Sequence, residues 1–136
     1  MKKFIAVFLS LIVVLSVNIT AYANGISVYS NNVSSTNTSF SISESGKVTV
    51  SNRYVGETGV TKSATITTKV QKKVGLIWVT VSNGKWTDTS TAVNFSKSHS
   101  VQLSSTGTYR AHVVFTISGT GGSDDKITKN IEKEYN

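Results

Sequence analysis

Two histidines, His99 and His112, and seven Asp and Glu side chains are all the imidazoles and carboxylate side chains of this 136-residue chain, which has no cysteine. A serine hydrolase needs a hydroxyl activated by a neighbouring base, and the Gly-x-Ser-x-Gly elbow that exposes such a nucleophile is absent. No His-Glu-x-x-His pair exists to hold a catalytic zinc. A glycosidase sets two carboxylates about 5–9 Å apart across a cleft. Only folding would bring Asp88 and Glu57 together, and nothing in their spacing favours it. Asp124-Asp125 offers oxygens to a calcium ion but lacks the alternating acids of a calcium loop, so it reads as a solvated hairpin tip. No phosphate loop or dinucleotide fingerprint is present. We therefore expect no catalytic residues, no cofactor and no metal.

The cations are a stronger signal. The chain carries 14 Lys and Arg against 7 Asp and Glu. A net positive field favours encounter with anionic surfaces. The candidate contacts are Lys62, Lys69, Lys72, Lys73, Lys85 and Arg110, with Trp78 as a stacking group if its ring is exposed. In a strand, Lys69 and Lys73 share one face and Lys72 takes the other. Asn32-Val33-Ser34, Asn37-Thr38-Ser39 and Asn94-Phe95-Ser96 are glycosylation sequons, meaningful only in a eukaryotic host.

Short strands must position these groups. Ser and Thr fill 36 of residues 24–136, and there is no proline. Apolar residues alternate with polar ones at Phe40 and Ile42, at Val48, Val50 and Tyr54, at Ala64, Ile66 and Val70, and from Tyr109 to Ile117. Val93 with Phe95 and Val101 with Leu103 are shorter pieces of the same kind. Ser45-Gly46, Gly56–Gly59 and the loop 119–123 separate the runs, and Asn83-Gly84 predicts a two-residue hairpin. Pairing across that turn sets Trp86 opposite Val81. Ile77, Val79 and Val81 look like a buried face that leaves Trp78 on the opposite one, so either Trp86 is the core tryptophan and Trp78 is exposed, or this strand is central and covered on both sides. Residues 126–135 suit either a strand or a helix with Ile127, Ile131 and Tyr135 on one stripe; the strand is preferred because the loop returns the chain beside the 109–117 run.

The start of the chain is of another kind. Met1-Lys2-Lys3 is basic, Phe4 to Val17 is almost wholly apolar, and Ala21-Tyr22-Ala23 is a small-x-small cleavage signal. That layout predicts a secretory signal peptide over 1–23, cut before Asn24. The apolar run is shorter than the ~20 residues that cross a bilayer. We expect an extracellular protein with no stable membrane span after cleavage. Residues 24–37 read as an irregular leader, with Ile26 and Val28 as a possible edge strand, and 38–136 as one all-β domain.

Ser105-Thr106-Gly107-Thr108-Tyr109-Arg110-Ala111 resembles the tyrosine corner of immunoglobulin-like domains, where a Tyr hydroxyl bonds backbone a few residues upstream. Ala111 then stands where the second framework cysteine would be, Ala64 or Ile66 where the first would be, and Trp78 at the core tryptophan. A second resemblance rests on Gly59-Val60-Thr61, Ala64-Thr65-Ile66-Thr67, Val70-Gln71-Lys72-Lys73, Trp78-Val79-Thr80-Val81 and Gly107-Thr108-Tyr109-Arg110. These are similar to a group of small exported domains of Gram-positive bacteria without established activity. The likeness implies a secreted β-sandwich and carries no functional residues across. The expected fold is a single antiparallel, immunoglobulin-like β-sandwich of seven to nine strands. Its expected core is Phe40, Ile42, Val48, Val50, Ile66, Val70, Val79, Val81, Tyr109, Val113 and Phe115. The expected function is a non-catalytic binding or surface-interaction module for an anionic cell-envelope polymer, a glycan or another protein, with no nucleic-acid partner. The alternative is a secreted antimicrobial or competition effector acting on an anionic cell envelope.

Overall fold

The computed structural model describes residues 31–136. The signal peptide, its cleavage site, and Ile26 and Val28 lie outside the described residues. Seven strands follow in chain order: β1 Val33–Ile42, β2 Lys47–Gly56, β3 Thr61–Val74, β4 Ile77–Ser90, β5 Asn94–Gln102, β6 Gly107–Gly119 and β7 Asp125–Tyr135. They form two sheets, ordered β1-β2-β5 and β4-β3-β6-β7, with every pairing antiparallel. The described residues are all-β and form a two-sheet sandwich. Strand begins at Val33, so part of the segment read as an irregular leader is sheet. Residues 126–135 are strand rather than helix.

Period-two alternation builds the core, because alternate side chains of each strand meet between the sheets. From β2 come Val48, Val50 and Tyr54, and from β6 Tyr109, Ala111, Val113, Phe115 and Ile117, all at most 1 % exposed. Phe40, Ile66 and Val70 join them as expected. Ile42 and Val81 are only partly buried, and Val79 is 45 % exposed. The reason is position: Val79 faces the sandwich interior near one end of β4, an edge strand, where a groove replaces facing side chains.

Asn83-Gly84 does not turn a hairpin. Strands β3 and β4 are joined by Gly75-Leu76, with Val74 opposite Ile77 and Gly75 at φ 62°. Glycine in the first of two turn positions is what a primed hairpin turn of that kind needs. Asn83-Gly84 instead belongs to a bulge, in which Val81–Gly84 face Val70 alone and Asn83 takes φ 58°. A Cβ on Gly84 would run into the Val81 side chain. Asn83 takes the positive φ expected of the dipeptide while Gly84 does not, and a bulge can use such a residue as well as a turn can.

Tyr109 is 1 % exposed, and its hydroxyl donates to the Ser105 carbonyl at 2.6 Å. Tyr109→Phe should cost about 1.5 kcal/mol, since that carbonyl loses its side-chain donor. A drop in Tm of roughly 6–8 °C checks it. The other framework assignments need correction. Ala64 and Ile66 lie on β3, in the same sheet as Ala111 of β6, so neither stands across the sandwich from it. Trp78 lies on the outer face of an edge strand and is not a core tryptophan; Trp86 packs against the core.

A polar bridge crosses this core. Asn52 of β2 donates to Thr68 Oγ1 of β3 at 2.7 Å and accepts from Thr38 Oγ1 of β1 at 2.9 Å. Asn52 and Thr68 are both fully buried. One end of the sandwich is closed by a second polar cluster. The Asp125 carboxylate accepts from the backbone amides of Asn31 and Asn32 at 3.0 and 2.7 Å. The Asn32 side chain donates to the Ser123 carbonyl and accepts from the Gly121 amide, while Thr61 Oγ1 donates to the Asn32 carbonyl. Asn32 is fully buried, so the first sequon cannot present its amide in the folded protein.

Candidate functional site

Strand pairing decides which of the expected cations meet. On the outer face of the larger sheet, Lys85 of β4 stands directly opposite Lys69 of β3, and Lys69 stands opposite His112 of β6. Further along β3, Gln71 is flanked by Thr80 and Arg110, and Lys73 by Trp78. Four residues separate Lys69 from Lys73, or about 13 Å of strand. Lys69, Lys73, Trp78, Lys85 and Arg110 thus form one patch.

The Arg110 guanidinium lies 4.4 Å from the centre of the half-buried Trp78 ring, and Lys73 Nζ 5.9 Å from it. Arg110 Nε donates to Gln71 Oε1 at 2.8 Å, which fixes the guanidinium over the indole. Glu132 sits opposite Arg110 on β7 without forming an ion pair with it. Among the described residues none of Lys69, Lys73, Lys85 and Arg110 is ion-paired with a carboxylate. Opposed like charges such as Lys69 and Lys85 destabilise a sheet slightly unless something anionic lies over them.

Two expected contacts fall elsewhere. Lys62 is exposed at the start of β3, about 23 Å of strand from Lys69. Lys72 is on the opposite face, as alternation requires, with Nζ donating to Ser105 Oγ at 2.7 Å and lying 5.7 Å from the Tyr109 ring centre.

The seam between edge strands β4 and β5 holds the remaining chemistry. His99 Nε2 is 2.7 Å from Asp88 Oδ2, and the imidazole stacks on Trp86 with centroids 4.8 Å apart and planes 8° apart. No hydroxyl is hydrogen-bonded to this pair among the described residues, and it joins one sheet's edge to the other's. Beyond it the seam opens into a groove of about 580 Å³ between Val79–Asn83 and Val101–Ser105, with Tyr109 and Lys72 in its wall. Asp125, offered to calcium by the sequence, instead has both carboxylate oxygens on backbone amides. No group of three or more His, Asp or Glu suited to a metal exists among the described residues.

The sequence reading missed the hairpin tip. Val74, Leu76 and Ile77 are 54, 97 and 63 % exposed. Gly75 is the available signal, but alternation groups Ile77 with Val79 and Val81 on a buried face, whereas it is exposed. No helix among the described residues is long and apolar enough to cross a membrane. No known protein family, curated protein or solved structure matches the chain.

Proposed function

We propose that this chain is an exported, non-catalytic surface-interaction module that binds an anionic cell-envelope polymer across the outer face of its larger sheet. The carrying observation is the directly opposed Lys69–Lys85 pair, without carboxylate partners, beside a Trp78 ring held under Arg110. Phosphate or carboxylate groups along a polymer relieve the repulsion between the lysines, and a sugar unit can stack on the exposed part of Trp78. Export is supported by the basic, apolar and small-x-small order of residues 1–23. An immunoglobulin-like identity is supported by the strand order and by the Tyr109–Ser105 hydrogen bond.

Binding to soluble polyglycerol phosphate tests the reading. Lys69→Gln with Lys85→Gln should weaken it by roughly tenfold, two exposed charge contacts at up to ~1 kcal/mol each. The dependence on salt should flatten, because exposed charges are screened beyond about 8 Å at physiological ionic strength. The unfolding midpoint should hold or rise slightly. Binding indifferent to salt and to both lysines, but lost in Trp78→Ala, means that a neutral glycan is the ligand and the charge reading fails.

A further inference from the structure

We propose that the tip of the β3–β4 hairpin inserts into the headgroup–acyl boundary of an anionic phospholipid bilayer. This goes beyond polymer binding: it shares Lys73, Trp78 and Arg110 with that patch but rests on the apolar turn beyond them. The last pair joining β3 to β6 is Lys72–Tyr109, so Lys73–Trp78, Val74–Ile77 and the Gly75-Leu76 turn form a two-stranded ribbon. Hairpin tips in water are normally polar, whereas this one exposes Val74, Leu76 and Ile77, with Leu76 97 % exposed. Clustered apolar exposure of this kind marks an interaction site.

Charge and depth select the partner. Lys73 and Trp78 sit two residues back from the turn, about 7 Å along the strand, and Arg110 stands level with Gln71, about 13 Å back. Interfacial segments bury their apolar face about 5–10 Å into the headgroup–acyl boundary. With the turn at that depth, Trp78 lies at the headgroup level, where indole rings concentrate. Lys72, Lys73 and Arg110 then reach lipid phosphates. Two copies meeting tip to tip would instead bring both sets of these cations together, a like-charge contact that opposes association.

Cosedimentation of the protein with vesicles of equal phosphatidylglycerol and phosphatidylcholine, against phosphatidylcholine alone, is the test. We expect binding to the anionic vesicles only, with a blue shift of Trp fluorescence. Leu76→Asp with Ile77→Asp should weaken it at least roughly a hundredfold, since two large apolar side chains no longer leave water. Both residues are exposed, so an unchanged unfolding midpoint shows that the variant is folded. Leu76→Phe should retain binding. Lys69→Gln with Lys85→Gln, which impairs polymer binding, should leave vesicle binding within about threefold, because those lysines lie farther from the turn. Vesicle binding that survives the aspartates, or that is equal on neutral lipid, overturns the proposal. So does self-association abolished by the aspartates with no vesicle binding, which assigns the tip to a second copy. Loss of vesicle binding in the aspartate variant with polyglycerol phosphate binding intact separates this proposal from the polymer site.

Discussion

Replacing Asn52 with alanine is expected to lower the unfolding free energy by about 3 kcal/mol, the joint effect of a small cavity and of the buried Thr68 and part-buried Thr38 hydroxyls deprived of a partner. Asn52 is fully buried and is hydrogen-bonded to a Thr on each side, one in its own sheet and one in the facing sheet. Thr68→Val strands the Asn52 amide in the same way and should cost about 2 kcal/mol. Because both changes break one bond, their effects should fall short of additivity by roughly 1 kcal/mol in a double-mutant cycle. Asn52→Leu with Thr68→Val replaces both partners by apolar groups and should recover much of the loss. Urea unfolding of the four variants checks this; strictly additive losses would mean that the bridge contributes nothing as a pair.

The second large effect is expected at Asp125. Asp125 is 5 % exposed, and its carboxylate holds the amides of Asn31 and Asn32 at the entry to β1. Hydrogen bonds to an ionised acceptor are about twice as strong as neutral ones. Asp125→Ala removes two of them and leaves the buried Asn32 amide unsatisfied, so a loss of about 3 kcal/mol is expected. Hydrogen exchange localises it: the Asn31 and Asn32 amides should lose protection first, while those of β3 and β6 lose it only with global unfolding. Uniform protection across β1 in the variant would contradict that account. Gly121 belongs to the same cluster, since a Cβ there would collide with the Asn31 carbonyl.

Much of this fold was legible because period-two patterning reports directly on which side chains are inside. The stripe from Tyr109 to Ile117 is the clearest case, and every apolar inner position in it is buried. Asn52 was passed over although it occupies an inner position between Val50 and Tyr54, because a polar residue there registers as a break in the pattern. Partners such as Thr38 and Thr68 lie 14 and 16 residues away and only pairing reveals them. The Asn83-Gly84 hairpin failed for a related reason: local backbone preference cannot distinguish a reversal from a bulge within a continuing strand. For the cation patch, alternation placed Lys69 and Lys73 together and Lys72 apart. It gave no view of Lys85, whose position depends on the bulge between Thr80 and Lys85. Nor did it reveal Arg110 over Trp78, a contact between strands on either side of β3.

The two ends of the sandwich have a mechanical consequence. Asn31 is fastened at the end where β3 begins, whereas Tyr135 lies opposite Gly107, level with the hairpin at the far end, so these two residues sit at opposite poles of the domain. Fourteen residues of β3 separate those poles, roughly 45 Å. Tension applied between Asn31 and Tyr135 therefore runs along the strands and loads the β1–β2 and β6–β7 hydrogen bonds in parallel. Such a shear load must break many bonds together, whereas a pull from one pole would unzip them singly. A domain connected in this way transmits force along its length and yields late.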